Sequence, residues 1–118
     1  MWGTRPGSGA PSAILKPMAE ANSRKIEHWR NEIDRVDEDL LRLFNERAHY
    51  AIEIGLEKRR LGMPFAVPER EAAIVRAMVA HNHGPLDADA IQRLFEAVIA
   101  ESQVAEQAMA EGGAGSLP

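Results

Sequence analysis

The chain has 118 residues, 14 Lys and Arg against 18 Asp and Glu, a net charge of −4 and no cysteine. A single domain of this size buries roughly two-thirds of its unfolded surface and needs no covalent staple. The missing cysteine excludes disulfides, thiolate metal sites and a cysteine nucleophile and points to the cytoplasm, while the negative balance argues against nucleic acid, whose phosphates need clustered Lys and Arg.

The opening MWGTRPGSGAPSAILKPMAEA holds no uninterrupted apolar core, so neither a secretory signal nor a membrane span is read there. Residues 1–21, rich in Gly, Pro, Ser and Ala, are expected to be a disordered tail. Asn22 and Ser23 offer N-caps, and apolar residues then recur at 26, 29, 33, 36, 40 and 43, resume at 51 and 54, and close at Leu61. That spacing predicts one long helix, stopped by Gly62 and Pro64.

After the loop LGMPFAVP, Pro68 suits the first turn of a second helix, whose acidic start favours the positive helix end and whose face is Ile74, Val75 and Met78. The break at Asn82, His83, Gly84 and Pro85 precedes Asp87, which can cap a third helix while Leu86 packs on Ile91. The third stripe is Ile91, Phe95, Val98, Ser102, Glu106 and Met109. A helical domain over 22–110 is therefore expected, with a second disordered tail over 111–118.

A helix of about 35 residues is about 50 Å long, whereas a compact domain of about 100 residues has a radius of gyration near 13 Å. The rest of the chain cannot cover such a stripe, which predicts a partner subunit. From periodicity alone the plainer reading is a coiled-coil homodimer without chemistry.

Polar residues interrupting the stripes point elsewhere. Arg47 and Lys58 fall where the long helix demands apolar side chains, so both cations face inward and must meet acids or a bound anion. Ser102 and Glu106, four apart, share the apolar face of the third helix. An apolar cavity with surplus positive charge and a few hydroxyl and carboxyl groups suits a small dianion. Arg30 lies 17 residues before Arg47, about 25 Å along a helix and too far to share one small ligand within a subunit. If it binds substrate, it reaches the neighbouring subunit's pocket. Four His occur, none with a partner at ligand spacing on a helical face, and no metal is expected.

The ordered segments WRNEIDRVDEDLLRLFNERAHYAIEIGLEK, PEREAAI and IQRLFEAVIAESQVAEQ, with Arg30, Arg47, Lys58, Arg70, Glu71 and Ser102 in place, resemble the all-helical chorismate mutases (AroQ class) from Ile26 to Gln107. The resemblance implies an all-α fold of three helices per subunit in an intertwined homodimer, two active sites, chorismate as substrate and prephenate as product. It implies that Arg47 and the neighbour's Arg30 clamp the two substrate carboxylates and that Lys58 donates to the ether oxygen. By the same analogy Glu71 accepts from the ring hydroxyl, Ser102 assists a carboxylate and Arg70 orders the cluster. Such an intramolecular pericyclic shift needs no nucleophile, metal or redox cofactor.

Two departures from the family pattern matter. Glu106 stands where many members carry Gln as second donor to the ether oxygen, so it must be protonated. Val67 replaces an acid that some members place before the second helix, leaving Glu71 to bind the ring hydroxyl alone. An isochorismate pyruvate-lyase shares the fold and the cations, although Ser102 and the surroundings of Glu106 look more like the mutase. A non-catalytic dimerisation module would not combine Arg47, Lys58, Ser102 and Glu106.

Overall fold

A computed structural model of the chain describes residues 12–116 and, among these, contains helices and no strand. The helices are α1 (Ser12–Leu61), α2 (Pro68–His81) and α3 (Ala88–Ser116). The chain divides into two compact units, Met1–Leu40 and Leu41–Pro118.

In the first unit, α1 begins at Ser12, well before the caps offered by Asn22 and Ser23. Residues 12–21 are therefore helical where a disordered tail was expected; the remainder of that expectation, residues 1–11, lies outside the described residues. The segment SAILKPMAEA differs in composition from the Gly-rich stretch before it. Ala, Leu, Lys, Met and Glu are strong helix formers. Pro17, in the second turn, removes one backbone bond and crowds the carbonyl four residues earlier, and the helix formers around it carry the helix through. Ile26, Trp29, Ile33, Val36 and Leu40 form the expected apolar stripe, and all are exposed, Trp29 at 63%.

The second unit holds the rest of α1 together with α2 and α3. α1 ends as its sequence predicts. Gly62 adopts φ +72°, Met63 N–H donates to the Lys58 carbonyl at 2.8 Å and Gly62 N–H to the Arg59 carbonyl at 3.2 Å. This paired closure satisfies two last-turn carbonyls and needs a residue that tolerates the left-handed region. Pro68 opens α2. Asp87 caps α3, its Oδ1 accepting from Ala90 N–H at 2.8 Å.

α2 packs against α3. Ile91, Phe95, Val98 and Met109 are half-buried as the stripe predicts, while Ile99 and Ala110 form the buried apolar positions. α3 runs to Ser116, beyond the end expected at 110, although Gly112, Gly113 and Gly115 are poor helix formers. Residues 117–118 of the expected C-terminal tail lie outside the described residues.

Candidate active site

Within the second unit, a cavity of about 510 Å³ is lined from α1, the loop after it, α2 and α3. α1 contributes Arg47, Tyr50, Ala51, Ile54 and Lys58, whose spacing of three or four puts them on one helical face. The loop adds Phe65 and Val67, and α2 adds Arg70, Glu71 and Ile74 from its first two turns. α3 closes the wall with Ile99, Ser102, Gln103 and Glu106, again one face.

Arg47 and Lys58 are each held by a neutral acceptor. Arg47 Nη1 donates to Ser102 Oγ at 2.6 Å, bridging α1 and α3. Lys58 Nζ donates to the Phe65 carbonyl at 2.9 Å. The closure at Gly62 turns the chain so that this carbonyl returns over the last turn of α1. An ammonium has three N–H donors, so two remain for a ligand. Among the described residues, neither Arg47, Lys58 nor Arg70 has a carboxylate within salt-bridge distance.

Glu106 is buried at 6% exposure, and its Oε2 has no hydrogen-bond partner among the described residues. Burial pushes its carboxyl above the usual carboxylate range, while the charge of Lys58 pulls it partly back. Its seat is provided by Gly55, which is buried on α1 and at which a Cβ would overlap Glu106 Cγ and meet Phe65 Cε1 at 3.3 Å. Only a glycine lets the acid lie so close to α1. Glu71 is half-buried, and its Oε2 accepts from Gln103 Nε2 at 2.7 Å.

Arg47, Lys58, Arg70, Glu71, Ser102 and Glu106, all singled out from the sequence, thus line one cavity. Arg47 and Lys58 are half-buried, as their interruption of the apolar series requires, and among the described residues neither pairs with an acid. Arg30 is not among the lining residues. It belongs to the Met1–Leu40 unit, where Nη1 pairs with Glu27 at 3.0 Å and the side chain is 68% exposed. Sequence reasoning missed Gln103 and Gly55. Gln103 had a signal, since it lies three before Glu106 and four after Ile99 on the same face. Gly55 had none, because a helical glycine reads only as a tolerated weak point.

The arrangement gathers three cations, one anchored carboxylate and one buried acid without a partner among the described residues, and it defines a small helical domain whose pocket carries more cations than carboxylates that pair with them. Residues 29–107 match the model of the family described as chorismate mutase type II. The chain belongs to that family. It is 42% identical over 78 residues to a bifunctional chorismate mutase/prephenate dehydratase of Neisseria gonorrhoeae, covering 66% of this chain and 21% of that protein. A protein of the same description from Aquifex aeolicus is 37% identical over 79 residues, covering 64% of this chain and 22% of the relative. The chain therefore spans about a fifth of the length of these curated relatives. Among solved structures, a chorismate mutase of Thermus thermophilus (form II) superposes with a TM-score of 0.69 at 35% identity, covering 70% of this chain and 94% of that one.

Proposed function

We propose that this chain rearranges chorismate to prephenate, one step in the synthesis of aromatic amino acids, in a cavity centred on Arg47, Lys58 and Glu106. The observation that carries the reading is the pairing of uncompensated cations with a buried carboxyl oxygen that has no partner in the protein. Buried polar groups are almost always satisfied, so such an atom marks where a ligand atom belongs.

The reaction breaks the ether C–O bond and forms a C–C bond within one molecule, with no net gain or loss of protons or electrons. The protein's tasks are to hold the enolpyruvyl arm over the ring and to stabilise charge gathering on the ether oxygen. Arg47 serves the first task through its planar fork, steadied by Ser102. Lys58 serves the second with its two remaining N–H donors, and a neutral Glu106 supplies a further hydrogen bond to the same oxygen. Glu71 accepts from the ring hydroxyl, with Arg70 beside it ordering that end of the site. With Glu106 neutral, the surplus of cations over carboxylates in the cavity suits a dianion.

A second copy of the chain completes the site in this reading. The exposed stripe from Ile26 to Leu40 needs a cover, and a neighbouring long helix would bring its own Arg30 to the second substrate carboxylate. The Arg30–Glu27 pair is exposed and weak, so giving it up costs little. A cytoplasmic location is part of the same proposal and rests on the cysteine-free composition. The test is the loss of chorismate absorbance on adding purified protein, with prephenate as product. Pyruvate release from isochorismate, without prephenate formation from chorismate, would assign the cavity to a lyase instead.

A further inference from the structure

Glu71 raises a difficulty of charge. A carboxylate at the mouth of a helix, on a side chain with three rotatable bonds, shares a cavity with Arg47, Lys58 and Arg70. Pairing with any of them would cancel the positive charge that a dianionic substrate needs, yet no such pair forms among the described residues. Glu71 Oε2 instead accepts from the side-chain amide of Gln103 at 2.7 Å, a contact between α2 and α3 in the cavity wall. The amide is a neutral donor, so it fixes the carboxylate without consuming a cation. No other hydrogen bond to the Glu71 side chain is present among the described residues, which leaves Oε1 as a free acceptor. Val67, on the adjoining loop, offers the cavity no polar atom from its side chain, so the acceptor role at that end falls to Glu71.

We propose that Gln103 is a positioning residue, holding Glu71 away from the cavity cations and aiming its free oxygen at the substrate's ring hydroxyl. This rests on the reading of Glu71 as the hydroxyl acceptor. Losing Gln103 then harms substrate capture in two ways: Glu71 swings freely, and it can pair with a cation meant for the substrate. Once substrate is seated, the ether oxygen still meets Lys58 and Glu106, so the chemical step is spared.

The test is a double-mutant cycle with Gln103→Met, close in size and helix propensity, and Glu71→Ala, followed by steady-state kinetics on chorismate and by thermal unfolding. Gln103→Met is expected to raise KM about tenfold, the usual scale for a hydrogen bond to a charged group, with kcat within about twofold of the parent. Added to Glu71→Ala, it should change KM by less than about twofold, because its target is gone. An equal KM increase with and without Glu71 would overturn the inference by showing that Gln103 meets substrate directly. A fall in Tm and kcat at unchanged KM would overturn it by showing a purely structural tie between α2 and α3. If Glu71→Ala raises KM while Gln103→Met does not, the positioning role alone fails. If Glu71→Ala leaves KM unchanged, the hydroxyl-acceptor reading fails and takes the inference with it.

Discussion

A carboxyl group at 6% exposure, beside a lysine and with one oxygen unpartnered, takes its protonation state from a contest between desolvation and Coulomb attraction. Desolvation wins here, and the neutral form persists above the usual carboxylate pKa near 4.5. Turnover should therefore fall as pH rises through the raised pKa, since deprotonation removes a donor and sets a negative charge against an oxygen becoming negative. Stability should move in the same direction. The folded state binds this proton more tightly than the unfolded chain, so the contribution of Glu106 declines from about pH 4.5 upward through its folded pKa. Glu106→Gln donates at every pH, and its rate profile should stay active and lose most of the alkaline decline. A profile that overlays the parent's would assign the titration to another group. Lys58→Ala, by contrast, should lose about 10²-fold or more in rate at all pH values, whereas the exposed Arg59→Ala should be nearly silent. Near-full turnover in Lys58→Ala would remove the electrostatic role given to that ammonium.

Between helices, the approach of Glu106 to Gly55 decides how the acid is buried. Gly→Ala inside a helix ordinarily stabilises by about 0.5–1 kcal/mol. Here the new methyl would meet the middle of a buried side chain and the edge of Phe65, and overpacking of that kind costs about 1–3 kcal/mol. The clash should win, so Gly55→Ala should lower Tm and, by displacing Glu106 toward water, shift the alkaline limb of the rate profile to lower pH. A Gly55→Ala protein with raised Tm and the parent's profile would show that the acid does not depend on this seat. The helix ends, by comparison, were readable in the sequence because each has a local cause. Gly62 closes α1, Pro68 opens α2 and Asp87 caps α3. The start at Ser12 was hidden because a Gly- and Pro-rich stretch adjoins good helix formers, and composition averaged across both reads as a tail. Inward cations were legible as interruptions of a period. Gly55 and the Gln103–Glu71 bond were not, since both depend on which side chain of one helix meets which position on another.

At the scale of the whole molecule, the exposed Ile26, Trp29, Ile33, Val36 and Leu40 lead to the expectation of a dimer by sedimentation at micromolar concentration. A folded monomer with full activity would contradict both the dimer and the shared site. Arg30 supplies the sharper question, because its pairing with Glu27 shows only where it rests within its own unit. The central claim is that the cation-lined cavity rearranges chorismate once a second chain lends it Arg30. The most direct measurement mixes inactive Arg30→Ala and inactive Lys58→Ala chains, verifies subunit exchange and follows conversion of chorismate to prephenate. Random exchange of an equal mixture makes half the dimers mixed, each with one of its two sites free of both lesions, so about a quarter of the parent's activity should return. No recovery after verified exchange would contradict the account, because Arg30 and Lys58 would then serve the same subunit's site or Arg30 would serve none.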